Sequence, residues 1–339
     1  MAKIVLGTCL SHTPQLHTPA AEWDVRIAAD RRNRAHRFRG GSYDWDELCA
    51  LRRGEQLEKE IGVAVRQARL ESCHRSIDRL AEIYRRVRPD VAVIVGNDQH
   101  ELFDDSVMPA FTVFWGEEIA NVPRSAEQIA RLPAGIHIAD HGHVPPQTQI
   151  YPGLPALGSH IIEGAIRDGF DVAHARKLHK VDPDHSILSG IPHAYGFVYR
   201  QIMQDEVIPN VPIILNTFYP PNQPTVQRCF AFGRCIGNAI ASWPEDLTVA
   251  VFGSGGLSHF VVDAAFDRAF LASLAAADVD ALAAAGEPLY QSGTSECKNW
   301  ITAAGVLSTT QLRMRLHSYD PLYRSEAGTG TGAAFASWE

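Results

Sequence analysis

Three short apolar runs in this chain each end in a turn rich in Gly, Asn or Ser and then a histidine: KIVLGTCLSH to His12, DVAVIVGNDQH to His100 and LTVAVFGSGGLSH to His259. Each run is rich in β-branched residues and reads as a strand. In open α/β sheets ligands collect beyond the carboxyl ends of the strands. Three such strands would therefore deliver three imidazoles to one rim. Neutral imidazole is a common metal ligand and the side chain that moves protons near neutral pH, so such a rim points to a metal site with an acid–base partner. The plain alternative is that three neighbouring strands happen to end in turn histidines.

Strand-like runs recur at 3–10, 91–96, 107–114, 170–174, 211–217 and 247–252, and helical patterns lie between them at about 55–88, 158–168, 225–242, 264–285 and 296–307. This alternation predicts an α/β fold: a mixed central β-sheet flanked by helices in three layers, with the active site at the C-terminal ends of the strands. There is no internal repeat and no Gly/Ser-rich linker, so residues 1–339 read as a single domain. The stretch 115–157 breaks the pattern with Pro123, Pro133, Pro145, Pro146, Pro152 and Pro155. It reads as a long irregular loop that encloses substrate or meets another subunit. The DHGH at 140–143 reads as a solvent-facing part of that loop.

Composition excludes several classes of function. A net charge of −8 argues against a nucleic-acid-binding face, since phosphate binding wants a basic one. No run approaches the roughly 20 apolar residues that span a bilayer, and no secretory leader opens the chain, so neither a membrane nor secretion is expected. The six cysteines form no CxxC pair, which fits reduced thiols in a cytoplasm. GSGGLS at 253–258 lacks the lysine of a phosphate-binding loop, and no GxSxG elbow marks a hydrolase.

Glu296 follows SGTS at 292–295 and opens an amphipathic stretch. By itself it reads as an acid complementing a helix dipole. Set beside His12 and His100 it acquires another reading. Two neutral imidazoles and one carboxylate occupy one face of an octahedron and leave room for substrate and O2, the arrangement of non-heme Fe(II) oxygenases.

The motifs SHTPQL around His12, GNDQHELF around His100, IPHAYGF around His193, TFYPPNQPTVQRCFAFG at 217–233, PEDLTVAVFGSGGLSHF through His259 and SGTSE to Glu296 occur in this order along nearly the whole chain. In this order they resemble the class III extradiol ring-cleavage dioxygenases, typified by the catalytic subunit of protocatechuate 4,5-dioxygenase. The opening SHTPQLHTP, DRRN at 30–33 and AGTGTG at 327–332 look most like the gallate and 3-O-methylgallate branch.

The resemblance implies that Fe(II) is held by His12, His100 and Glu296, with His259 as the catalytic acid–base and His193 as a histidine contacting the substrate hydroxyl and the oxygen site. One departure is visible. The family's histidine directly follows Asn-Asp, whereas here Gln99 intervenes, and a one-residue shift turns a strand side chain to the opposite face unless a bulge absorbs it. Tyr195 and Tyr219 are candidate walls of an aromatic pocket, and Arg31 is a candidate partner for a substrate carboxylate. The implied activity is meta cleavage of a substituted catechol such as gallate, 3-O-methylgallate or protocatechuate, in the breakdown of lignin-derived aromatics. The partners expected are the aromatic diol and O2, with a homodimer or a small helical partner subunit. Two other readings stand beside it: a Zn(II) or Fe(II) enzyme of this fold acting on another phenol, and an inactive scaffold subunit.

Overall fold

The computed structural model describes residues 1–178 and 188–339. Its central sheet is built from β1 (Lys3–Leu10), β2 (Val91–Asn97), β3 (Phe111–Phe114), β4 (Ala173–Ala175), β5 (Asn210–Leu215), β6 (Thr248–Ser254), β7 (His259–Val261), β8 (Met314–Tyr323) and β9 (Thr329–Trp338). Among the described residues the strand order is β7-β9-β1-β6-β2-β5-β3-β4, with β8 paired to the other edge of β9. The centre is parallel, running β1, β6, β2, β5. The flanks β9, β7 and β8 pair antiparallel, and β3 pairs antiparallel to β5 but parallel to β4, so the sheet is mixed.

The parallel strands read as continuous apolar runs because both of their faces are covered. Along β2, Val91, Val93 and Val95 pack on one side while Ala92 and Ile94 pack on the other; β6 divides in the same way at Val249 and Val251 against Ala250 and Phe252. The first face is covered by α2 (Pro155–Arg167), α3 (Val226–Ser242) and α5 (Cys297–Leu307), and the second by α1 (Val63–Val87), whose Leu70, Cys73, Ile77, Leu80 and Ile83 form its inward stripe. The expected helix flanking is therefore present on both faces.

Several boundaries differ from expectation. Helices at Ile27–Arg32 and Trp45–Arg52 precede the one expected from about 55, which begins at Val63 after two single 3-10 turns at Arg53–Glu55 and Leu57–Lys59. The pattern at 264–285 is two helices, α4 (Ala264–Ala275) and a short one at Val279–Ala284. Ala277 takes φ +52° between them, and Asp278 caps the second by accepting from the Ala281 amide. The stretch at 115–157 is not irregular throughout. It contains strands at Glu118–Val122 and Gln149–Pro152 that pair antiparallel, and a helix at Ala126–Arg131 closed by a Ser125/Gln128 capping box. The β8–β9 hairpin went unread because β9 opens with TGTGAA, whose small residues carry no strong apolar periodicity.

Helices α3 and α5 approach closely enough that side chains are excluded at their crossing. A Cβ on Gly305 would lie 2.2 Å from the Phe230 carbonyl oxygen, and one on Gly233 would lie 2.0 Å from that of Thr302. Because α5 begins immediately after Glu296, this contact sets the depth at which that carboxylate sits. Gly305→Ala is expected to lower stability by about 1–3 kcal/mol through overpacking, read as a shift in the denaturant midpoint.

Candidate active site

Register brings the carboxyl ends of the parallel strands level. Leu10 of β1 pairs with Ser254 of β6, Gly253 of β6 with Val95 of β2, and Asn97 of β2 with Leu215 of β5. His12 therefore emerges two residues beyond the end of β1, next to the turn after β6 and the turn after β2. Glu296 enters the same rim from the start of α5, and His193 from the start of a short helix at His193–Phe197. His12, His193 and Glu296 each place a ligand atom within 4.8 Å of the others, and no other such group lies among the described residues. Glu296 is 2% exposed and His12 6%.

The hydrogen bonds assign the tautomer of each imidazole. Ser254 Oγ donates its single proton to the Ala194 carbonyl at 2.7 Å, so it must accept from His12 Nδ1 at 2.8 Å. His193 Nδ1 donates to the Glu101 carboxylate at 2.8 and 2.9 Å, and His259 Nδ1 donates to the Leu257 carbonyl at 2.7 Å. In the neutral form of each ring Nε2 then carries a lone pair. His12 Nε2 lies 3.3 Å from Glu296 Oε2 and His259 Nε2 lies 3.7 Å from Glu296 Oε1. His12 Nε2 is buried and makes no hydrogen bond. A lone pair facing a carboxylate oxygen is repulsive unless a cation lies between them, so this donor set fits a divalent metal ion.

Electrostatics distinguish the three rings. Burial dominates at His12 and lowers its pKa, which keeps the ring neutral as a ligand must be. At His259 and His193 burial also works against the charge. It is outweighed by Glu296 at the first and Glu101 at the second, so both pKa values are raised. Burial likewise opposes ionisation of Glu296, but the adjacent His12 and His259 hold it well below the ordinary carboxylate range. Its oxygens accept from Gln99 Nε2 at 2.7 Å and from the Gly256 amide at 2.8 Å.

His100 is not brought to this cluster, which corrects its expected place beside His12 and Glu296. Strand β2 pairs without interruption through Asn97, so no bulge absorbs the extra residue. Beyond it Asp98 accepts from the amides of Glu101, Leu102 and Phe103 and folds the chain into a tight turn. Gln99 points inward to Glu296 while His100 takes φ +58° and stacks on Tyr219 at 3.7 Å. Tyr219 thus pairs with His100 outside the cavity. Tyr195 is a core residue, fully buried with its hydroxyl donating to the Ile213 carbonyl at 2.6 Å. Arg31 lies on the surface, its side chain 59% exposed and paired with Glu326. None of these four lines the cavity.

That cavity, of about 280 Å³, opens on His12, His193, His259, Glu296 and Gln99. Its outer wall is Trp23, Val25, Leu132, Pro133 and Ile136, with the guanidinium groups of Arg26, Arg124 and Arg324. The 115–157 stretch so contributes part of the lining, and Asp140 and His143 of DHGH turn inward to Arg124 rather than to solvent. Sequence reading missed Gln99, Glu101 and the three arginines. The acid two residues beyond Gln99 was the visible signal for Glu101, because a tight turn returns that position to the same side.

Residues 60–330 match the family described as the catalytic LigB subunit of aromatic ring-opening dioxygenase. This chain belongs to that family. It is also 32% identical over 126 residues to a gallate dioxygenase of Pseudomonas putida, covering 37% of this chain and 34% of that protein. It is 27% identical over 190 residues to a 2,3-dihydroxyphenylpropionate/2,3-dihydroxicinnamic acid 1,2-dioxygenase of Mycobacterium ulcerans, covering 56% of this chain and 50% of that protein. The matched stretches thus span half or less of these relatives' own lengths.

Asp267 of α4 supports the GSGGLSH turn at 253–259 from behind. It accepts from the Ser258 amide at 2.8 Å, from Ser258 Oγ at 2.7 Å and from Tyr319 Oη at 2.7 Å, and burial pushes its carboxyl up to about 6. A raised folded-state value means the folded protein holds this proton more tightly than the unfolded chain. Its contribution to stability is then full below about pH 4 and is lost as pH rises through about 6. Relative to Asp267→Asn, the wild-type free energy of unfolding is expected to fall between those two pH values, measured by urea denaturation across the range.

Proposed function

We propose that this protein is an Fe(II)-dependent extradiol dioxygenase that opens a substituted catechol with O2. The observation that carries the reading is the set of imidazole Nε2 lone pairs gathered on one buried carboxylate, inside a cavity of ring size, in a chain of the ring-opening dioxygenase family. His12, His193 and Glu296 would hold the metal. Their two-nitrogen, one-carboxylate composition is that of non-heme Fe(II) oxygenase centres. Bound there, Fe(II) would supply Lewis acidity towards the diol oxygens and redox chemistry with O2.

The chain's own residues supply the rest. A catechol binds as its anion only after losing a hydroxyl proton. His259, with Nδ1–H anchored on Leu257 O and Nε2 at the cavity beside Glu296, is placed to take that proton when its ring is neutral. Glu101 holds His193 by Nδ1 and so aims its Nε2 at the reacting centre, as carboxylate partners do for metal-bound histidines. Gln99 donates to Glu296 and fixes the carboxylate plane. The apolar outer wall excludes water around the ring.

Gallate, 3-O-methylgallate and protocatechuate are the proposed substrates, with 2,3-dihydroxyphenylpropionate added because one relative is named for it. The free state of all six cysteines supports a reducing, cytoplasmic setting. Assembly as a homodimer, or with a small helical subunit, is proposed from the family resemblance; light scattering on the isolated chain distinguishes the two.

The test is O2 uptake by anaerobically Fe(II)-reconstituted protein on these four acids. Uptake with a coloured ring-opened product is expected, and metal-replete wild type that consumes no O2 with any of them overturns the reading. His12→Ala and Glu296→Ala are expected to lose both uptake and bound iron, measured by elemental analysis after desalting. His259→Ala should retain iron while kcat falls by about 10²–10⁴, measured with the best substrate of the four.

A further inference from the structure

Three arginines line the cavity, and two of them are already committed to carboxylates. Arg324 is held by both oxygens of Asp30, at 2.6 and 2.9 Å, and Asp30 accepts in addition from Thr329 Oγ1. Arg124 donates to Asp140 at 3.0 Å. Arg26, the last residue of the 3-10 turn Ala20–Arg26, is different. Its one described hydrogen bond runs from Nη1 to the Ala134 carbonyl at 3.3 Å, and among the described residues no carboxylate lies within ion-pair distance of it.

A guanidinium has five N–H donors in a planar fork that matches a carboxylate, so most of this donor capacity is unused. The group is half-buried in the wall that also carries Trp23, Val25, Pro133 and Ile136. Its surroundings are unfavourable to a lone cation: burial, and then the nearby charge of Arg324, press its pKa below the ordinary guanidinium value, and Asp30 offsets this only in part. A cation in an apolar wall, beside a second cation whose counterion is fully engaged, gains from an anion arriving in the cavity.

We propose that Arg26 is the specificity-determining residue that reads the carboxylate of an acidic catechol while the ring diol faces His12, His193, His259 and Glu296. The proposal rests on the reading of this cavity as the catechol site and narrows its substrate class to aromatic acids over neutral catechols. It also replaces the exposed Arg31 with a cation that lines the cavity. The apolar residues around Arg26 strengthen the pairing by excluding water from it. They also accommodate the carbon skeleton between diol and acid.

The test separates binding from ring opening. Titration calorimetry on metal-free protein compares 4-hydroxybenzoate with its methyl ester, a pair that differs in the acid and cannot chelate iron through a diol. Wild type is expected to bind the acid at least about ten-fold more tightly than the ester, as a charge-assisted bond of this kind predicts. Arg26→Gln should abolish that preference, and Arg26→Lys should retain part of it. A wild type without preference for the acid, or an Arg26→Gln protein that keeps the full preference, overturns the proposal. In reconstituted enzyme the ratio of kcat/KM for protocatechuate over its methyl ester should fall about ten-fold in Arg26→Gln, driven by KM. Should wild type prefer the acid in calorimetry yet consume no O2 with any catechol, the dioxygenase reading fails while the role of Arg26 stands.

Discussion

A buried carboxylate has to be satisfied from several directions at once, and around Glu296 much of the rim is organised to do so. Its oxygens take a proton from the Gln99 amide after β2 and one from the Gly256 backbone after β6, and they face the bare Nε2 atoms of His12 after β1 and His259 on β7. Leaving such a group unpaired would cost several kcal/mol. A divalent cation between the carboxylate and these nitrogens would complete the arrangement. The same interaction thus links the packing of four strand ends to the chemistry proposed for them.

The supports behind that carboxylate are themselves constrained. Asn299, one turn into α5, donates to Asn97 at the end of β2 and to the Ser254 carbonyl at the end of β6, tying the helix to both strands. Trp300 donates to the Gly255 carbonyl beside them. These bonds form at the depth set by the side-chain-free crossing of α5 with α3. On the second sheet face, the His193–Phe197 helix is anchored through the Ala194 carbonyl to Ser254, the residue that also fixes the His12 tautomer. One serine hydroxyl therefore connects two of the proposed ligands, and substitutions there would disturb both.

Much of the sheet was legible because its parallel strands are apolar on both faces, which leaves a continuous signal in Val, Ile and Ala. The hairpin β8–β9 was illegible for the opposite reason, since the first six of the ten residues of the fully buried β9 are TGTGAA, without a periodic apolar signature. At the site, the histidines and Glu296 stood out as chemistry-bearing residues after turns. The arginines of the outer wall did not, because their positions depend on a 3-10 turn, a capped helix and the returning strand β9, which meet only in the folded chain. Arg31 stands in DRRN, a charged stretch that carries no sign of which face is inward.

His100 marks the boundary between the two kinds of information. Sequence alone determined that an Asn-Asp turn follows an apolar strand and carries a histidine, a glutamine and an acid within four positions. It also determined the donor types available, and that Gln99 separates Asp98 from His100. Which of these side chains enters the cavity was decided by tertiary structure. Asp98 captures three successive amides, the strand ends without a bulge, and the left-handed conformation of His100 turns its ring onto Tyr219. The physical reason is that a turn's direction depends on where its backbone hydrogen bonds close and on what waits to pack against the side chains it expels. For this turn the decisive partners, Tyr219, His193 and Glu296, come from parts of the chain about a hundred residues or more away.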